Sequence, residues 1–240
     1  MDIRRQVAKI ERSAHQGEYG IWRKTFCRDY REVMVRICRA AAAEQEAYIT
    51  SLSSSVSCHK GCVYCCSQYV SISIAHGLVI TDYLYKHQEF LDHFLRRYEK
   101  WLQTLAGTPA LVTLEQYTTF SPVVRRTPQA LLDDYAKLDV PCPFLLNSSC
   151  TIYAVRPICC ASHVAISPPE FCMAENADSA LICEMVLSSD GLRELALLGD
   201  RMLTMHQESL PFLVYRLLTE GFPEVTRKLE LLTKEQPQGF

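Results

Sequence analysis

The chain has 240 residues, 48% hydrophobic and 22% charged, with a formal net charge of −2 at pH 7. This is enough apolar sequence for one substantial core, so folding does not require disulfide staples. The basic residues form no long run, which argues against nucleic acid or an anionic membrane as partner, and no apolar stretch approaches the length that spans a bilayer.

The first residues carry charges, but no continuous apolar stretch or small-residue cleavage site follows them, so a cytoplasmic chain is expected. Residues 1 to about 50 predict helix. From Trp22 onward Phe26, Tyr30, Val33, Met34, Ile37, Ala41, Gln45 and Tyr48 recur at three- and four-residue steps and make one apolar face. Cys27 and Cys38 flank that face and read as small buried hydrophobes. The serine-rich run from Ser51 to Ser57 ends the helix and leads into a cysteine loop.

After that loop, the alternation from Tyr69 to Ile74 predicts one short strand. A single long helix should follow, with Ile80, Leu84, His87, Leu91, Phe94, Tyr98, Trp101 and Leu105 on one side and Gly107 and Pro109 as stop signals. His76, His87 and His93 read as core or boundary residues. From 108 to 140 three prolines interrupt the pattern, with a short helix capped by Thr127 and opened by Pro128. Farther on, a polar loop carries Cys172, and Cys183 opens the next helix. Ser209 and Pro211 start another, Gly221 stops it, and Pro223 starts the last. The expected fold class is mostly α: a single helical domain with two irregular cysteine-rich metal-binding loops and at most one or two short strands. It divides into an N-terminal helical segment (1–52), a cysteine-cluster region (56–192) and C-terminal helices (193–240).

Cysteine is the compositional outlier, with twelve in the chain. In a reducing compartment clustered thiols are metal ligands more often than disulfides. Cys62-x2-Cys65 is the half-site spacing at which a turn aims two sulfurs at one point, and Cys58 adds a third. Gly61 permits the tight turn there. In extended backbone Cys65 and Cys66 would face opposite ways, so together they serve two sites or the edges of one larger cluster. The adjacent pair Cys159 and Cys160 poses the same problem, and Cys160 reads as a bystander. His59 and His163 read as solvated loop histidines. The Cys58–Cys65 spacing is also similar to the cluster loop of radical S-adenosylmethionine enzymes. Those enzymes hang it on the first strand of a barrel, whereas helices flank it here.

Taken in order, Cys58-x3-Cys62-x2-Cys65-Cys66, then Cys142-Pro-Phe-Leu, then Cys150-Thr-Ile-Tyr-x2-Arg-Pro-x-Cys159 resemble the YkgJ-type cysteine-cluster family, described as zinc- or iron-chelating proteins. Flagellin lysine methylases carry a related module. The resemblance covers roughly residues 56 to 192 and implies eight metal ligands: Cys58, Cys62, Cys65, Cys66, Cys142, Cys150, Cys159 and Cys183. Two departures stand out. Cys160 occupies the place of an arginine common after Cys159, and no acidic residue stands near Ala75 to Gly77. Arg156 is positioned to offset thiolate charge, while Tyr153 and Pro157 shape the loop and exclude water.

Three functions follow. The thiols hold an iron-sulfur cluster, with or without a second metal, for a redox or auxiliary enzymatic role. Alternatively, two zinc sites of four cysteines each tie the loops together in an interaction module with an unidentified protein partner. The third, a protein-lysine methyltransferase using S-adenosylmethionine, is implied by resemblance only, since no glycine-rich strand-to-helix turn would bind the methyl donor.

Overall fold

The computed structural model describes residues 17–59, 61–120, 129–173, 176, 179–198 and 206–227. Its helices are, in chain order, α1 (Gly17–Ser51), α2 (Ile74–Lys86), α3 (Gln88–Leu105), α4 (Pro109–Phe120), α5 (Gln129–Ala136), α6 (Ile158–Ser162), α7 (Ser189–Leu197) and α8 (Leu210–Thr219). A further helical stretch covers 222–227. The protein is mostly helical, as expected. Strands are confined to segments of two or three residues: β1 (Ser71–Ser73), β2 (Leu145–Leu146), β3 (Ser149–Cys150), β4 (Val164–Ala165), β5 (Ile182–Cys183) and β6 (Gln207–Ser209). They form the antiparallel pairs β1–β6, β2–β3 and β4–β5.

Helix α1 runs roughly 50 Å at about 1.5 Å per residue. It buries Phe26, Cys27, Tyr30, Met34, Ile37 and Ala41, and near its end Ile49. Tyr48, expected on this face, is 57% exposed, because the buried stripe drifts around the helix past Ala41. Cys27 is buried and Cys38 packs against the core, as the periodicity predicts.

Helix α2 is buried from Ile74 through Asp82 because α1 covers one side and α8 the other. Ser73 caps it by accepting from the His76 amide at 3.2 Å. Gly77 lets α8 come close, since a Cβ there would meet Leu217 Cδ1 at 2.8 Å. The predicted single long helix is in fact two, α2 and α3, broken at His87, whose backbone (φ −132, ψ 75) is not helical. No glycine or proline marks the break. His87 instead sits between Tyr83 and Phe90, with ring centroids at 4.2 and 5.5 Å.

Pro109 also acts differently from expectation. It opens α4 rather than merely ending α3, as suits a residue with a fixed φ and no amide proton at a first helical position. The helix turn expected from Thr127 and Pro128 falls outside the described residues, and α5 is described from Gln129. Cys183 lies in β5, and the next helix starts only at Ser189, capped by Ser188 accepting from the Gly191 amide at 3.1 Å. The C-terminal punctuation is as expected: Ser209 precedes α8, and Gly221 takes a positive φ of 88° after it.

Candidate metal centre

Two contacts seat the second cysteine loop on α3, and a third ties α3 to α5, the helix before that loop. Phe144 stacks flat on Phe94 at 4.4 Å, His93 Nε2 lies 2.7 Å from the Leu145 carbonyl, and Trp101 Nε1 donates to the Tyr135 hydroxyl at 2.8 Å beneath it. The loop then folds as the β2–β3 hairpin, with Leu145 opposite Cys150. Its two-residue turn, Asn147-Ser148, has φ values of 48° and 57°, the double left-handed conformation that matches strand twist. Buried His76 ties the following turn to α2 through the Val155 carbonyl at 3.1 Å. His76 is thus a core residue, and burial lowers its pKa.

The first loop meets the second through backbone. The Cys142 amide donates to the Cys66 carbonyl at 2.9 Å, so the two motifs, far apart in sequence, touch at their cysteines. Gly61 has φ 90°, which fits its expected role in the turn. Cys65 and Cys66 lie not in extended chain but in a 3-10 turn, Tyr64–Ser67. Cys159 and Cys160 lie in α6. On helical turns adjacent side chains do not point to opposite faces, which corrects the expectation from extended backbone.

Electrostatics show which thiols are neighbours. The Cys66 thiol hydrogen-bonds to Cys65, bringing Cys65 down to about 6 against burial, with His163 and Arg156 assisting. Cys66 is pushed far up by the same bond, by burial, and by the charges of Cys65, Cys142 and Cys150. Burial drives Cys142 up to about 12, aided by Cys150 and Cys65. Burial also raises Cys150, while the Ile152 amide and Arg156 oppose it. The second vicinal pair behaves like the first: the hydrogen bond from Cys160 lowers Cys159, and Cys160 is raised by Cys159 and burial, then by Cys142 and Cys65. Six thiols, at 65, 66, 142, 150, 159 and 160, therefore act on one another. Cys62 is raised chiefly by burial and feels Cys58 and Cys65. Cys58 Sγ accepts from the Ala165 amide at 3.2 Å.

Cys183 is placed differently. It pairs with Val164 in the β4–β5 ladder, is buried, and gives its carbonyl to Gln45 Nε2 at 2.8 Å. Gln45 also holds the Ser162 carbonyl at 2.9 Å, so a polar residue of the α1 stripe serves to fasten the cysteine region. Arg156 stacks over Tyr153 at 4.2 Å, and Tyr153 is 63% exposed. Tyr153 is thus a platform for the guanidinium and does not exclude water. His163 sits 3.5 Å from Glu184, with its Nε2 buried and unpartnered. His59 is exposed beside the Ser57 carbonyl.

A cleft of about 730 Å³ opens against this group, lined among others by Cys65, Cys159, Cys160, Cys172 and His163. All twelve cysteines are free. Among the described residues no three His, Cys, Asp or Glu side chains converge on one point as those around a bound metal ion do. The donor set fits one: soft sulfur donors, partly buried, and backbone amides already directed at Cys58, Cys142 and Cys150.

Among the described residues no helix is long and apolar enough to cross a membrane. Neither a search of curated proteins nor a search of solved structures finds a match. A family model does match, over residues 57–184, beginning one residue before Cys58 and ending one after Cys183. The first spacing here, Cys58-x3-Cys62, is one residue longer than the family's name implies. Over more than half its length, the chain belongs to the CxxCxxCC family, described as a "putative zinc- or iron-chelating domain".

Proposed function

We propose that this protein holds an iron-sulfur cluster on the thiols of its two loops and serves a redox or auxiliary enzymatic role. The observation that carries this is the meeting of the two cysteine motifs, where the Cys142 amide donates to the Cys66 carbonyl, beside a cleft lined by Cys65, Cys159, Cys160 and Cys172. These cysteines are more than one closed zinc site of four ligands uses. The ligands are Cys58, Cys62, Cys65, Cys66, Cys142, Cys150 and Cys159. Cys183 fills the eighth place in the family pattern.

When bound, such a cluster accepts and returns single electrons. The chain's own residues supply the surroundings. Arg156 offsets the net negative charge of a thiolate-bound centre, and the amides at Ala165 and Ile152 donate to sulfur, which stabilises the more reduced, more negative state. The cleft beside Cys159 and His163 gives a small reactant or a partner's side chain access to the thiols.

Metal analysis with an anaerobic absorption spectrum tests the proposal. Broad visible absorption that bleaches with dithionite is expected. A colourless protein carrying stoichiometric zinc would overturn it and leave the family's other chemistry, a closed zinc module.

A further inference from the structure

Cys172 lies outside the ligand set that the sequence motifs imply. It ends the 3-10 turn Pro169–Cys172, which packs on the turn Tyr64–Ser67 that carries Cys65 and Cys66. Gln68 Nε2 donates to the Cys172 carbonyl at 3.4 Å and fastens one turn to the other. Both Cys65 and Cys172 line the same cleft.

The chain at Cys58 and the strand that carries Cys183 flank β4 on opposite edges. Strand β4 is gripped on both edges. On one edge, Ile166 donates to the Leu181 carbonyl, continuing the β5 ladder in which Cys183 faces Val164. On the other edge, the Ser57 amide donates to the Ala165 carbonyl at 2.9 Å and the Ala165 amide donates to Cys58 Sγ at 3.2 Å. The backbones at Cys58 and Cys183 therefore lie on opposite edges of β4, about two strand spacings apart, while Cys58 Sγ reaches in to the β4 backbone. Side chains of paired strands stand perpendicular to the ladder rather than along it, whereas Cys58 Sγ lies in its plane against the Ala165 amide. Four sulfurs around one small ion each lie only about 2.3 Å from it.

We propose that Cys172, outside the ligand set that the motifs imply, completes a four-thiol metal site with Cys58, Cys62 and Cys65. Cys66 then belongs with Cys142 and Cys150, and the vicinal pair Cys65-Cys66 divides between two centres. The neighbours acting on Cys172 agree: after burial, the charges of Cys65, Cys58 and Cys62 raise it, to about 11. The assignment rests on the metal-thiolate reading above.

The test compares wild type with Cys172→Ser, Cys183→Ser and Cys62→Ser, each purified anaerobically and measured for metal per chain. Cys172→Ser should lose the same fraction of metal as Cys62→Ser, and Cys183→Ser should keep the wild-type content. Wild-type content in Cys172→Ser beside loss in Cys62→Ser would overturn the assignment and leave the metal reading standing. Wild-type content in Cys62→Ser would remove both. Should Cys172→Ser fail to fold, alkylation of the loaded wild-type protein, mapped by mass spectrometry, decides the matter. Cys172 is only half-buried, so protection that disappears with a chelator supports ligation, and equal labelling with and without metal overturns it.

Discussion

Removing the Glu208 carboxylate should destabilise the fold more than any surface change. Glu208 is fully buried in β6 opposite Ile72, and accepts two hydrogen bonds from Arg216 Nη1 at 2.8 and 2.9 Å. His206 Nε2 lies 2.8 Å from the same carboxylate. Breaking a buried ion pair by deleting one partner costs about 3–5 kcal/mol, because the other charge is left without compensation. Arg216 keeps a 17% exposed side chain and a second carboxylate, Glu220, at 3.7 Å. These soften the loss, so the low end of that range, about 3 kcal/mol, is expected for Glu208→Ala. Glu208→Gln keeps the shape and an acceptor and loses only the charge-assisted part of the bonding, about 1.5 kcal/mol. Urea denaturation at fixed metal loading, with the slope compared between variants, measures both. The effect bears on the site, since β6 holds β1 and the Ser71 carbonyl of β1 lies 3.9 Å from Cys159 Sγ. A loss below about 1 kcal/mol for Glu208→Ala would refute the reasoning, because it would mean that water already reaches the pair.

Gly61→Ala forces a Cβ onto a residue with φ 90° and should cost about 1–2 kcal/mol, weakening metal binding roughly tenfold in a competition titration. Unchanged affinity would show that the turn is not strained by a side chain. Cys27 is predicted to make the fold sensitive to alkali. Burial, then Asp82, lifts its thiol from 9.0 to about 12, so the neutral form is favoured in the folded state. Its stabilising contribution is complete below pH 9 and is lost as pH rises through the folded value, by up to about 4 kcal/mol. Thermal melts of wild type and Cys27→Ala should thus differ by about 1 kcal/mol near neutrality, as for a small core truncation, and converge or cross above pH 10. A constant difference would contradict that. Chelation should leave most of the far-ultraviolet helical signal, because α1, α2 and α8 pack on one another through apolar side chains. Complete cooperative loss of helix would show that metal, not packing, holds those helices.

The helical body was largely legible because its signals are local. The 3.6-residue stripe of α1, Gly221 with its positive φ, and Ser209 before α8 each act within a few residues. What was not legible depends on distant partners. The break at His87 has no breaker residue and is stabilised by ring contacts with Tyr83 and Phe90. Cys183 reads as the start of a helix, yet a ladder with Val164 and the bond from Gln45 place it in β5. Ladders of two residues carry no period to detect, and the β2–β3 turn at Asn147-Ser148 was not among the expected elements. At the site, the motif spacing singled out the two loops, which meet where the Cys142 amide donates to the Cys66 carbonyl. The turn holding Cys172 against Cys65 is non-local packing, and no spacing encodes it.

Metal content of anaerobically purified wild type, Cys62→Ala and Cys150→Ala tests the central claim most directly. Each variant removes one thiol from a different loop, and both should lose bound metal while keeping their helical signal. Metal content equal to wild type in both variants would contradict a centre built from the two cysteine loops.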